Sequence, residues 1–467
     1  MSPTIVGLLG FVCITAIVVT LFKSKTQPSI AFIVFPSLLA MLLILGGYYD
    51  IGNVAKLIKA GFGSTSPTAA LFVFSVLYFG VMTDTGMFNV IIGKLMQHVG
   101  NSVVGVAVMT AVIALIGHLD GGGASTFLIV VPAMLPIYRR MHMRATTLLR
   151  IAVLSMGVLN LMPWAGPTMR AASVLGVEAG SLWGTILPVQ LFGIALALGH
   201  AVLAGIQEKR RGAGLDGALA LAGGGTLSED DSEVEAAAEK AAKANEKNKD
   251  LERPQLFFFN IGLTLAVIAL LIWDKFPSYL PFMLGLAIAL FVNYGANAKM
   301  HKKIINLHAT SALMMCSTLM GAAVLMGVLT KTVTVNGVQV ASVVTCMSDI
   351  ITMILPDFLG YHLPIIIGIL SVPLALAFDT DSYFYGMLPV MIGIGASFGI
   401  DPMPVAIAMV VCRNCATFIS PMVPATLLGI GLANVDIKDH IKATFGYVWA
   451  FSIICMLFAI LLGIMPL

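Results

Sequence analysis

The sequence predicts an all-α polytopic membrane protein made of two inverted repeats, with about ten transmembrane helices, two re-entrant hairpins and two broken helices. Three observations predict it. First, the chain is 58% hydrophobic and only 10% charged, where an average soluble domain carries about 25% charged residues; apolar stretches of roughly 20 residues, the length that crosses a hydrocarbon core, recur from Ile5–Phe22 to Phe445–Met465. Second, one half of the chain repeats the other. Third, basic residues gather on alternate loops in a way that gives the halves opposite orientations.

The expected spans are 3–22, 28–47, 66–84, 146–175, 184–205, 255–273, 279–294, 307–329, 403–432 and 445–465. The first is expected to be retained, since no basic residue precedes it and no small-residue cleavage pattern closes it. The one long polar stretch, Gln207 to Arg253, starts glycine-rich (GALALAGGG) and ends rich in Glu, Lys and Ala, and reads as a flexible, partly helical connector. It divides the chain into a first membrane repeat (1–205), a cytoplasmic polar linker (206–254) and a second, inverted repeat (255–467).

At a constant shift of 257 residues, Ser125 pairs with Ser382, Phe127 with Phe384, Pro132 with Pro389, Met134 with Met391, Val153 with Val410 and Pro167 with Pro424. A second fragment, FGVMTDT (79–85), echoes MGVLTKT (326–332). Placing Lys23 and Lys25, Arg139 to Arg144, Lys209 to Arg211, Lys299 to Lys303 and Lys438 to Lys442 in the cytoplasm puts both termini outside. The segment YRRMHMR (138–144) then faces in and its counterpart GASFGID (395–401) faces out, so the repeats are inverted. Lys56 and Lys59 break the charge rule, as exceptions on an interfacial helix. With this parity the stretches 101–138 and 361–397 enter and leave on one side. They are re-entrant hairpins, tolerable at membrane depth only where protein or water surrounds them, and their tips meet near the midplane, where inverted-repeat transporters bind substrate.

The first tip, HLDGGGAST (118–126), combines His118 and Asp120, costly at membrane depth, with Gly121 and Gly123, which permit exposed or left-handed backbone, and with Ser125 and Thr126 at a helix start suited to an anion. The alternative is a capped packing turn. The second tip, FDTDSYF (378–384), sets Asp379 and Asp381 beside Ser382. Two carboxylates this close resist double ionisation, which suits them to a proton or a metal ion; solvated helix caps are the alternative. Each hairpin is followed by a span broken by paired prolines, NLMPWAGPTMR (160–170) and TFISPMVPAT (417–426), where freed backbone groups must be satisfied by substrate, ion or neighbouring side chains. Arg170 follows the first break, and Arg413 with Asn414 precedes the second in CRNCATF (412–418). An arginine fork grips carboxylates bidentately, or pairs with Asp120, Asp379 or Asp381.

The stretches GHLDGGGASTFLIVVPAMLPIYRR, PWAGPTMRAASVLG and DTDSYFYGMLPV resemble the citrate–metal:proton symporters, the CitMHS family of the ion transporter superfamily, and the resemblance covers nearly the whole chain. It implies proton-coupled symport of citrate or a related polycarboxylate complexed with a divalent cation such as Mg or Ca. It also implies a homodimer in the cell membrane, an elevator motion and no resident cofactor. By this resemblance Asp120, Gly121, Gly123, Ser125, Thr126, Pro163, Gly166, Thr168, Asp381, Ser382, Ser420 and Thr426 are the matched site candidates. The family pattern carries a second acidic residue and a Thr-Thr pair where this chain has Gly122 and Ser125–Thr126, which leaves the carboxylate and the metal open. Ser125 and Ser382, with Thr168 and Thr426 nearby, are expected to hold opposite ends of one substrate.

Other classes fit less well. A sodium-coupled or antiporting anion carrier of the same fold is the nearest alternative. An intramembrane enzyme is more distant, because the chain carries neither HExxH nor a GxGD aspartate signature. A passive channel needs a continuous polar stripe. The net charge of +3 suggests no nucleic-acid partner, and Cys412–Cys415, a CxxC without a second pair, is explained by one helical turn.

Overall fold

The structure is a computed structural model and describes residues 1–23, 26–97, 100, 102–214, 249–335 and 337–465. The first half runs α1 (Pro3–Phe22), α2 (Pro28–Leu45), α3 (Ile51–Asp84), α4 (Met87–Gln97), hairpin arms α5 (Val103–Gly117) and α6 (Gly123–Arg140), half-helices α7 (Ala145–Leu159) and α8 (Gly166–Leu175), and α9 (Ala179–Arg210). The same order then returns. It comprises α10 (Phe257–Trp273), α11 (Tyr279–Tyr294), α12 (Ala298–Thr330), α13 (Val343–Thr352) and the short α14 (Asp357–Tyr361). Hairpin arms α15 (Leu363–Ala375) and α16 (Leu388–Ser397) follow, the second entered by a π-helical turn Ser382–Met387, then half-helices α17 (Pro402–Cys415) and α18 (Pro424–Ala433), and α19 (Ile437–Leu461). Between α12 and α13 the strands β1 (Val333–Val335) and β2 (Val338–Val340) pair antiparallel, Val333 opposite Val340.

Packing repeats as the order does. Helix α3 lies on α11 as α12 lies on α2, and α5 lies on α9 as α15 lies on α19. The equivalent helices α3 and α12 meet each other: Gly61 abuts Ala323 and Gly327, while at the other end Gly80 faces His308 and Asp84 bonds it. Ascending α3 therefore descends α12. Antiparallel packing of equivalent helices is what a two-fold axis in the membrane plane requires. The two broken helices cross on the same axis, since a Cβ on Gly157 would lie 2.9 Å from Cys415 Cα and 3.0 Å from Asn414 O, and Asn414 is the residue that the repeat shift equates with Gly157. Only glycine permits that crossing.

Seven helices, α1, α2, α3, α9, α10, α12 and α19, are long and apolar enough to cross a membrane among the described residues. With α11 and the broken pairs α7–α8 and α17–α18 they account for the ten expected spans. Exposed Leu8, Leu45, Phe258, Leu265 and Trp273 are surface that lipid can cover, whereas the apolar window of α12 is 67% buried, packed against α3 and α2.

Two expectations change. Helix α3 begins at Ile51 rather than near 66, so Lys56 and Lys59 belong to the spanning helix itself: Asn53, Leu57 and Gly61 form its buried stripe, with both lysines exposed opposite. The short helices α4 and α13 escaped a reading based on 20-residue apolar runs. Of the connector, Gln207–Arg210 continue α9 and Lys249–Leu251 form a 3-10 turn, while 215–248 lie outside the described residues. Glu208, buried at the end of α9, receives Arg144 Nε at 2.7 Å, Thr147 Oγ1 at 2.6 Å and Arg211 Nη2 at 2.7 Å, which ties α9 to the start of α7.

Candidate functional site

The first hairpin turns at 118–122. Gly121 takes φ +72°, a left-handed conformation that favours glycine, and it lies against Trp164 and Ala165 of the first break. Trp164 Nε1 donates to Leu119 O at 2.8 Å, fixing the tip there. Gly123 has no room for a Cβ, which would run into the Phe418 ring of the second break. The tip is thus wedged between both breaks.

Helix α6 starts at Gly123 with Gly122 as its cap residue, and no side chain caps it. The first N–H groups of a helix lack partners within it, so this start presents donors and partial positive charge. Beside it Asp120 accepts from Gly122 N at 2.7 Å, and Ser125 Oγ lies 2.6 Å from Asp120 Oδ2 and 2.8 Å from Gly122 O. A cavity of about 350 Å³ opens onto this group, lined by Asp120, Gly121, Gly122, Ala124 and Ser125 of the tip and by Trp164 and Gly166 of the break. Its opposite wall comes from α3 and α12, chiefly Phe79, Gly80, Thr83, His308 and Met315. That volume lies in the range of small-molecule sites, roughly 300–1,000 Å³.

Behind the tip lies a buried polar chain. His118 Nδ1 lies 2.7 Å from Thr126 Oγ1, and Asn160 Oδ1 accepts from His118 Nε2 at 3.1 Å. The carbonyl of Asn160, freed by the helix break, accepts from Thr168 Oγ1 at 2.8 Å and from Asn414 Nδ2 at 2.9 Å. In the second break the Phe418 carbonyl is met by His440 Nε2 at 3.1 Å. Side chains of this chain therefore satisfy backbone groups at both breaks, as a bilayer demands. His118, Thr126, Thr168 and Asn414 belong to this chain rather than to the cavity wall.

At the second tip, Arg170 Nε donates to Asp381 Oδ1 at 2.5 Å, with only 8% and 13% of the two side chains exposed. Asp379 accepts from Ser382 N at 3.1 Å and Asp381 N at 3.3 Å, so it caps the arm. Arg413, fully buried, donates to Phe378 O at 3.3 Å and reaches Thr417 Oγ1 at 3.4 Å, with its guanidinium 5.6 Å from the Tyr383 ring. Arg170 reaches toward the cavity, since its Nη2 touches Met315 Sδ at 3.9 Å and its Nη1 sits over Gly166.

The sequence candidates thus fall into groups. Asp120, Gly121, Ser125 and Gly166 line the cavity, with Arg170 just behind it. Gly123 packs beside Phe418, and Pro163 is buried within the first break. Ser420 Oγ accepts from Met422 N at 3.3 Å. Thr426 Oγ1 and Ser382 Oγ are buried without a hydrogen-bond partner among the described residues. Ser125 and Ser382, expected on one substrate, border different cavities: Ser382 lines an apolar one of about 190 Å³ with Ile14, Met347 and Phe378. The reason is that each tip is held by the opposite repeat's half-helix, the first by α18 and the second by α8 through Arg170. His308, which lines the cavity and is joined at 2.9 Å to Asp84 behind it, is the cavity group that the sequence alone does not reveal. The repeat itself carried a signal, for Asp84 stands where the second fragment has Lys331.

Among known proteins, the citrate transporter family matches residues 17–412. A citrate transporter of Bacillus subtilis (strain 168) is 32% identical over 458 residues, 98% of this chain and 99% of that one. A Mg(2+)/citrate complex secondary transporter of the same organism is 31% identical over 461 residues, 98% of each chain. Among solved structures, the Alcanivorax borkumensis YdaH transporter, described as having an unusual topology, superposes with a TM-score of 0.57 at 15% identity, covering 94% of this chain and 100% of its own. That likeness concerns the fold alone.

Proposed function

The chain belongs to the citrate transporter family, and from that premise we propose that it is a multi-pass secondary transporter carrying citrate, as a complex with a divalent metal ion, in symport with protons. The family is one of transporters, so the enzyme alternative falls away. The observation that carries the proposal is the mixed charge of the first-tip cavity. A bare polycarboxylate would be welcomed by the uncapped start of α6 but repelled by Asp120, whose carboxylate faces the same space. A metal–citrate complex presents both signs.

Complexation also lowers the cost of moving the anion through a low-dielectric path. Among the described residues no group of three or more His, Cys, Asp and Glu side chains is placed to hold a metal ion. In this reading the cation travels as cargo, with citrate supplying most of its ligands and Asp120, which lines the cavity, one more. The protein's own work is to hold the carboxylates at the helix start, keep water out with Trp164 and Phe79, and move the tip. Asp381 is a candidate for proton coupling, exchanging Arg170 for a proton as the second tip moves. A homodimer in which the hairpins and broken helices move against α3 and α12 completes the proposal.

The test is uptake of labelled citrate into proteoliposomes under imposed gradients. Uptake that needs magnesium or calcium and an inward proton gradient supports the reading. Uptake driven by sodium alone, or only by exchange, replaces it with the sodium-coupled or antiporting carrier.

A further inference from the structure

The pseudo-symmetry of the crossing between α3 and α12 is broken at one place. At the shift that aligns 79–85 with 326–332, Gly80 corresponds to Gly327, His308 to Gly61 and Asp84 to Lys331. On one side the two helices touch backbone to backbone: a Cβ on Gly327 would lie 2.6 Å from Leu57 O, and one on Gly61 would meet Ala323 O. On the other side an imidazole fills the corresponding space. A Cβ on Gly80 would lie 2.6 Å from His308 Cγ and Cδ2, so Gly80 serves to seat the ring. One crossing is sealed, and the other presents a histidine to the cavity that also holds Asp120 and Ser125.

The ring is oriented. Asp84, buried at the end of α3, sets Oδ2 2.9 Å from His308 Nε2, and since a carboxylate only accepts, Nε2 is the nitrogen that donates to it. Nδ1 has no protein hydrogen-bond partner among the described residues. With Nε2 engaged, a neutral ring offers only a lone pair at Nδ1, which repels a carboxylate, whereas a doubly protonated ring offers a donor and a charge. The other charged or titratable groups in its neighbourhood are few. Asp120 lines the same cavity from the tip, and Tyr294 on α11 lies near Asp84. Arg253 bonds Thr85 O through its backbone N–H at 2.9 Å, and Glu252 lies beside Gly86. Asp250 is held below the usual carboxylate range by Lys303, 2.5 Å away. Helix α2 carries no charged residue, Asp349 of α13 sits by Tyr48 and Cys346, and Asp381 is paired with Arg170.

We infer that the Asp84–His308 pair is a substrate-sensing site, at which binding of an anionic carboxylate ligand draws one proton from solution onto His308 Nδ1. This rests on the reading of the first-tip cavity as the citrate site. No bond other than that N–H forms: the proton comes from water, the imidazolium then stands between Asp84 and a substrate carboxylate, and the proton returns to water when the substrate leaves α12. It is a proton of loading, separate from any proton that crosses with the cargo. It makes capture of the carboxylate stronger at acid pH, independently of transport.

The test is calorimetry of the purified full-length protein with magnesium citrate, in buffers of different ionisation enthalpy at one pH, so that the citrate's own protonation is common to every variant. His308→Gln keeps a donor toward Asp84 and removes the titratable nitrogen. The expected result is that the wild type takes up more protons per citrate bound than His308→Gln does, the difference approaching about one, and that the variant's affinity loses its rise toward acid pH. Equal proton uptake in the two proteins overturns the inference while leaving citrate transport standing. A folded wild type that fails to bind magnesium citrate overturns the transport reading instead. Should His308→Gln lose binding altogether, Asp84→Asn decides: a binding pH profile displaced from the wild type supports the inference, and an unmoved profile overturns it.

Discussion

Replacing Arg170 or Asp381 tests whether their ion pair holds the second hairpin tip on α8. The pair is short at 2.5 Å, its side chains are 8% and 13% exposed, and it joins residues from opposite halves of the chain. Little solvent is available to screen the partner left behind. Removing one member of such a pair strands a buried charge at a cost of about 3–5 kcal/mol, whereas replacing both with apolar groups of similar volume is often neutral or stabilising. Arg170→Met and Asp381→Leu should therefore each destabilise the protein by about 3–5 kcal/mol, and the double variant should be no less stable than either single one. The assay is unfolding in mixed SDS and non-ionic micelles, followed for wild type, both singles and the double. Destabilisations that add would mean that the two charges do not stabilise one another across the tip.

Three further outcomes are expected. Gly80→Val places atoms within 2.6 Å of the His308 ring and pushes it into the cavity; equilibrium binding should show citrate affinity reduced at least tenfold, about 1.4 kcal/mol. Ser125→Ala removes the hydroxyl 2.6 Å from Asp120, and the same binding measurement should register a loss of about 1.5–3 kcal/mol, roughly tenfold to a hundredfold. A cysteine introduced between 215 and 248 should resist an impermeant thiol reagent added to intact cells, because the basic loops place the connector inside; labelling from outside would reverse the assigned orientation.

Much of the fold was legible because the bilayer leaves few options. A run of about 20 apolar residues is read as a span, and the prolines at 163 and 167 and at 421 and 424 mark the two breaks, although Pro132 and Pro136 leave α6 continuous. Pro167 and Pro424 stand in the first turns of α8 and α18, where a missing N–H costs nothing, so the breaks fell where the sequence put them. The hairpins were legible from glycine and acid at the centres of overlong apolar stretches. The short amphipathic helices α4 and α13 were not, since their stability comes from tertiary contact rather than from apolar length. At the site, Asp120, Ser125 and Gly166 announced themselves through cost or position. His308 did not: one of the two histidines in a long methionine-rich helix, it acquires its role only when α3 brings Asp84 and Gly80 beside it, more than two hundred residues away in sequence. Thr126 and His118 are the reverse case, polar residues at depth that bond each other, Asn160 Oδ1 and the Gly122 carbonyl rather than facing the cavity.

Whether citrate binds at the first tip is measured most directly by substrate protection. Ala124 lines the cavity, Ala450 lines an apolar groove between α9 and α19, and of the six native cysteines only Cys316 is not buried. In a Cys316→Ser background, Ala124→Cys and Ala450→Cys are alkylated in detergent with and without magnesium citrate. Magnesium citrate is expected to slow alkylation at position 124, at concentrations that match its binding affinity, and to leave position 450 unchanged. Undiminished alkylation at position 124 in a protein that binds magnesium citrate would contradict citrate binding at the first tip.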